Sequence, residues 1–210
     1  VTSPTTAKLV ASDYGVPAER ITVARPGSDP APRSSGSRSE VPHLLSVGAV
    51  VPRKGFDTLV AALATLAELP WRLTIAGDLT RDPDEAARLD ISITQHKLAG
   101  RISALGAVSS ERLAAQYDDA DLFVLASRFE GYGMAYAEAL SHGLPVIGTT
   151  AGAIPDTVPQ ESGILVGPGD VDALARALRG VITDAGLRRH LSDAAFAAAG
   201  KLPAWRQSGP

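Results

Sequence analysis

Two glutamates, Glu130 and Glu138, flank a short glycine-containing run, Gly131-Tyr132-Gly133-Met134-Ala135. A second glycine-bounded run, Gly48-Ala-Val-Val-Pro-Arg-Lys-Gly55, carries the adjacent cations Arg53 and Lys54. These residue types suit different parts of one ligand. Lys54 and Arg53 attract an anion, and a charge-assisted bond of this kind contributes roughly 1.5–3 kcal/mol. Backbone N–H groups at a helix start add roughly 0.3–2 kcal/mol, and glycines let a ligand approach the main chain. A carboxylate cannot favour phosphate, but it accepts hydrogen bonds from sugar hydroxyls. The ligand implied is both phosphorylated and hydroxyl-rich. Taken singly, each run has a plainer reading: two glutamates at this spacing are common, and Arg53-Lys54 fits a turn with solvated cations.

The elements around these runs make the combination more specific. Asp121 to Ala126 is an apolar stretch that reads as a buried strand, and Met134 to Ser141 reads as a helix stopped by Gly143 and Pro145. From Leu44 onward strands and helices alternate. Strands are expected at 44–50, 71–76, 101–105, 122–126, 145–148 and 163–166, and helices at 56–69, 84–98, 109–117, 134–141, 171–183 and 187–199. Asp82 and Ser109 read as helix caps. This alternation predicts an α/β fold, a doubly wound, mostly parallel six-stranded sheet whose ligand crevice lies outside the carboxyl ends of its strands. Upstream, Ser3-Pro4 reads as the start of a helix ending at Gly15, followed by a short strand at 20–24 and a Pro26-Gly27 turn.

The other post-strand turns are less informative. Gly77 after the second strand allows a tight turn. Gly106 and Val108 follow the third, and Gly152 and Asp156 follow the fifth. The second glycine of the 48–55 run is followed by Phe56, so the phosphate loop of nucleotide hydrolases is excluded. The three close glycines of a dinucleotide fingerprint are likewise missing there. His142 ends a helix, where an imidazole meets the negative end of the dipole. His43, His96 and His190 lack zinc-ligand spacing.

Together, the Glu130/Glu138 spacing after a strand and the Lys54-Gly55 pair resemble the donor-binding half of retaining glycosyltransferases of family 4, which have the GT-B, Rossmann-like fold. The resemblance implies sugar transfer from a nucleotide-sugar donor to an acceptor with retained anomeric configuration. It implies that Glu130, with the main chain of Gly131, Tyr132, Gly133, Met134 and Ala135, holds donor sugar and phosphate alongside Gly48, Lys54 and Arg53. Glu138 would accept from the ribose hydroxyls, and the turn at Gly106 and Val108 would hold the base. Ala49 stands where the family commonly has Arg, which removes one expected diphosphate contact. Asp119-Ala120-Asp121 resembles the metal motif of the other large glycosyltransferase fold, but it precedes a strand and reads as a capping turn. No metal and no cofactor are therefore expected.

The resemblance also divides the chain. Residues 1–27 would be the end of an N-terminal acceptor domain, 28–42 an inter-domain linker, 43–200 the donor-binding domain and 201–210 a tail. The chain opens at Val1 without Met, so it is expected to be part of a longer protein. An acceptor sugar, lipid or small molecule would bind mainly to the missing domain, leaving this chain inactive alone. A nucleotide-sugar epimerase and a non-catalytic nucleotide-sugar-binding module are the rival readings. A net charge of −3 argues against a nucleic-acid partner. The chain has no cysteine and no apolar run near the ~20 residues of a membrane span, which fits a cytoplasmic protein, with any peripheral membrane contact made through the missing domain.

Overall fold

The computed structural model describes residues 1–205; of the predicted tail, 206–210 lie outside the described residues. The elements run α1 (Pro4–Tyr14), β1 (His43–Val47), α2 (Phe56–Ala64), β2 (Arg72–Ala76), α3 (Pro83–Gln95), β3 (Ile102–Ala104) and α4 (Ser110–Asp119). They continue with β4 (Leu122–Val124), α5 (Met134–Ser141), β5 (Val146–Thr149), α6 (Ile154–Thr157), β6 (Gly163–Val166), α7 (Val171–Thr183) and α8 (Ala185–Ala199). The strands form one six-stranded sheet in the order β3-β2-β1-β4-β5-β6, with every pairing parallel. Leu44, Leu45, Leu73, Ile75, Phe123, Val124 and Ile147 are buried between the helical layers. Strands covered on both faces favour apolar runs, and β4 (Leu122-Phe-Val124) is one, whereas β1 and β2 carry the buried polar residues His43, Ser46 and Thr74 among their apolar ones. Among the described residues, no helix is long and apolar enough to cross a membrane.

The strand order places a topological switch at β1 and β4. The chain leaves β1 toward β2 on one side, while β4 opens the other half of the sheet. The crevice therefore lies between the turns that follow β1 and β4, where open α/β sheets bind ligands. Those turns are the lysine run and the two-glutamate run.

Several helix starts follow from local chemistry. Ser3, Asp82, Ser109 and Asp170 each accept from the N–H three residues on, capping α1, α3, α4 and α7. Helix α2 stops at Ala64, short of the Leu69 expected from its apolar period. Beyond it, Trp71 Nε1 donates to Leu66 O at 2.8 Å, and Arg101 donates to the Ala67 and Leu69 carbonyls. These donors occupy acceptors that a continuing helix would need, and the backbone tightens into three-residue turns. The strand expected at 20–24 does not form. Its N-terminal end is a 3₁₀ turn, Ala18–Arg20, and Thr22 and Ala24 make only two hydrogen bonds with Val1. Such contacts do not build a sheet. The turn at Gly152 after the fifth strand was expected, but the short helix α6 that follows it was not.

Residues 28–42 contain no regular element but are held along the sheet. Ser34 Oγ donates to Asp118 O and Ala120 O, Gly36 N–H to Asp118 O, and His43 N–H to Asp121 Oδ2. Asp119 pairs with Arg72 at 2.7 Å and faces His43 Nδ1 at 3.0 Å. Both acids of the Asp119-Ala120-Asp121 run thus serve contacts at the amino end of the sheet, opposite the crevice.

Candidate functional site

The turn after β1 is shaped around Lys54. Pro52–Lys54 make a single 3₁₀ turn that Gly55 ends at φ 66°, a left-handed conformation suited to glycine. A side chain on Gly55 would strike Ala126 O, so the turn lies directly against the end of β4. Gly48 has φ 154°, and a Cβ there would sit 3.0 Å from Lys54 Cε. The bare glycine lets the lysine stem lie across the turn.

That stem delivers Lys54 Nζ to 2.6 Å from Glu130 Oε1. Ser127 Oγ donates to the same oxygen at 2.7 Å, and Arg53 approaches Oε2 at 3.2 Å. The Lys54 and Glu130 side chains are 10% and 9% exposed, whereas Arg53 is 53% exposed. Desolvation this deep makes an unpaired charge costly, so each group requires the other. The cluster carries a net charge of about +1, and the lysine ammonium retains donors beyond the one given to Glu130. Residue Gly133 begins α5 in a left-handed conformation, and no side chain caps the first turn. The positive helix end therefore opens beside the cations.

These groups line one cleft of about 470 Å³, together with Gly48, Tyr132, Met134, Ala135 and Glu138. The cleft brings together most of the residues expected from sequence. Gly131 is not on its wall; Thr2 and Thr6 hydroxyls both donate to the Gly131 carbonyl at 3.0 Å. Gly106 and Val108 lie beyond β3 on the same rim but do not line this cleft. Gly77 serves backbone approach, since a Cβ there would stand 1.9 Å from Gly48 O. Gly152, at φ 58°, lets its loop close on Glu130, with Ala153 N–H donating to Glu130 O at 2.8 Å. Asp156 Oδ2 accepts from Thr5 N–H at 3.0 Å, away from the cluster.

Sequence reasoning missed Ser127, Thr2, Pro26 and Leu113, the last three on the cleft wall. It also missed Tyr117, whose hydroxyl donates to Glu138 Oε2 at 3.0 Å. None stands in a distinctive spacing; Ser127, three residues before Glu130, was the nearest to a signal. His142 stands at the end of α5, as its position suggested, but its imidazole does not turn to the helix carbonyls: Nδ1 meets Pro32 O at 3.1 Å and the ring stacks on Tyr117 with centroids 4.7 Å apart.

Burial pushes the Glu138 carboxyl above its ordinary 4.5, and the Tyr117 hydroxyl opposes the shift. In the window just above 4.5 the folded chain then holds more of this proton than the unfolded chain. The Glu138 contribution to stability consequently declines as pH rises through that window. Glu138→Gln should raise the melting temperature at pH 7 by on the order of 2 °C, and by less at pH 4. Thermal scans of both proteins across that range read the difference; a pH-independent offset would contradict it.

Residues 28–197 match the family described as Glycosyl transferases group 1. The chain is 33% identical over 198 residues to a GDP-mannose-dependent monoacylated alpha-(1-6)-phosphatidylinositol monomannoside mannosyltransferase of Corynebacterium glutamicum, covering 89% of this chain and 49% of that protein. Its structure is similar to that of sucrose-phosphate synthase from Thermosynechococcus elongatus, with a TM-score of 0.88 and 28% identity over 99% of this chain and 54% of the other. A glycosyltransferase from Rickettsia africae shares the fold at a TM-score of 0.89 and 23% identity, over 99% of this chain and 59% of that one. The chain spans about half the length of such relatives. With a match over most of its residues and with these neighbours, it belongs to the group 1 glycosyltransferase family, whose members here have the GT-B fold.

Proposed function

We propose that this chain is the donor-binding half of a retaining, family 4 glycosyltransferase that moves a sugar from a nucleotide-sugar to an acceptor without a metal. The observation that carries the reading is the meeting of Lys54, Arg53 and Glu130 at one cleft between the β1 and β4 turns. Lys54, Arg53 and the open end of α5 would stabilise the charge that develops on the diphosphate as its bond to the sugar breaks. Glu130 would orient the sugar through its hydroxyls. Glu138, at the far end of the same wall, would accept from the ribose, and main-chain groups near Gly106 and Val108 would hold the base. The acceptor would be bound mainly by a domain outside this chain. A cytoplasmic location, with any membrane contact made through that domain, completes the reading.

Calorimetric titration with UDP-, GDP- and ADP-sugars tests it. One of them should bind weakly, Kd in the range of tens to hundreds of micromolar, about −5 to −6 kcal/mol. Glu130→Ala and Lys54→Ala should each remove the binding heat, and EDTA should leave it unchanged. Binding should also fade as pH drops, because a protonated Glu138 is a poorer acceptor. The chain alone should transfer little or no sugar. Absence of binding by both this chain and its full-length parent would defeat the proposal, and rapid transfer by the isolated chain would defeat the division of labour.

A further inference from the structure

We propose that Tyr117 is a positioning residue for Glu138: its hydroxyl holds one carboxylate oxygen so that the other is presented to ligand hydroxyls, and its ring ties that arrangement to the segment after residue 28. The inference rests on the ribose role proposed above for Glu138.

Tyr117 is 2% exposed on the inner face of α4. Its hydroxyl donates to Glu138 Oε2 at 3.0 Å. The other oxygen, Oε1, has no hydrogen bond among the described residues, and Glu138 lines both the 470 Å³ cleft and an adjoining cavity of about 380 Å³. Without Tyr117, the carboxylate would have no side-chain partner on α4 and would be free to turn into that cavity. Burial, with the Glu138 charge adding to it, pushes the Tyr117 phenol well above its ordinary value. It remains a donor at any working pH, so the contact cannot reverse its polarity.

The other side of the tyrosine is equally fixed. Its ring stacks on His142 with planes 5° apart. His142 Nδ1 meets Pro32 O at 3.1 Å, and the His142 carbonyl accepts from Ser34 N–H at 2.9 Å. One continuous set of contacts thus runs from Glu138 through Tyr117 and His142 to residues 32–34. A phenol that served packing alone would need neither the bond to a ligand-facing carboxylate nor this lateral clamp.

The test is a comparison of ribonucleotides with nucleotides that lack the hydroxyls Glu138 would read. UDP, GDP and ADP, and their 2′,3′-dideoxy counterparts, are titrated calorimetrically into the chain and into its Tyr117→Phe and Glu138→Ala variants. The native chain should prefer the ribo form. Tyr117→Phe should narrow that preference about fivefold while leaving dideoxy affinity unchanged. Glu138→Ala should abolish the preference. If Tyr117→Phe keeps the full preference, or weakens both forms equally, this proposal is overturned and the Glu138 reading stands. If the native chain shows no preference, or binds no nucleotide, both are overturned. Should Tyr117→Phe not fold, 3-fluorotyrosine labelling reads the same contact. The Tyr117 resonance should move on UDP saturation and stay in place with the dideoxy form; a response to both or to neither overturns the proposal.

Discussion

Lys54→Met should lower the unfolding free energy by about 3–5 kcal/mol and abolish binding of any nucleotide diphosphate. The reason is asymmetry. Lys54 Nζ lies 2.6 Å from Glu130 Oε1, with both side chains about nine-tenths buried. Removing the ammonium leaves a buried carboxylate supported by Ser127 and by the half-exposed Arg53. A buried charge that loses its partner costs far more than the intact pair contributes. The double variant Lys54→Met/Glu130→Gln should therefore recover most of the stability, because no orphan charge remains. It should recover none of the binding, because the diphosphate still lacks its cation. Chemical denaturation of the native chain, both single variants and the double variant supplies the cycle. Additive losses in stability would mean that the two groups do not depend on each other.

Gly77→Ala should cost at least about 2 kcal/mol and weaken ligand binding, although Gly77 does not itself line the cleft. Its added methyl would sit 1.9 Å from Gly48 O and 2.3 Å from Gly48 C. Both neighbours are backbone and cannot rotate away. They are also pinned: Gly48 N–H donates to Ala76 O, Val50 N–H to Asp78 O, and Gly77 N–H to Gly106 O. Relief requires the turns after β1 and β2 to separate, which carries Gly48 and the Lys54 stem with them. Gly106→Ala is the contrasting control. Gly106 has φ 72° with only Leu79 Cδ1 nearby, at 3.9 Å, so its cost is conformational, about 1 kcal/mol. Melting curves of the two variants should separate clearly. Equal shifts would show that the close approach of the two turns is not constraining.

Much of this arrangement was present in the order of residues. The β/α alternation, the caps at Ser3, Asp82 and Ser109, and the limits of α5, β6 and α7 are local features. They arise from side-chain periodicity and from short hydrogen bonds within a few residues, so a linear reading captures them. The candidate site was legible because Lys54, Glu130 and Glu138, each following a strand, together carry the resemblance to family 4 glycosyltransferases. The limit of α2 was not legible, because Trp71 and Arg101 reach its carbonyls from later in the chain. Nor was Tyr117, which meets Glu138 across 21 residues, since a tyrosine on an amphipathic helix looks like any core residue. Above all, sequence left the strand order open. A parallel sheet can be assembled in several orders from the same strands, and only the one that sets β1 beside β4 joins the lysine turn to the glutamate turn across 76 residues. Residue types determined what chemistry was available to this chain; the packing of β1 against β4 decided that the lysine and glutamate turns would line one cleft.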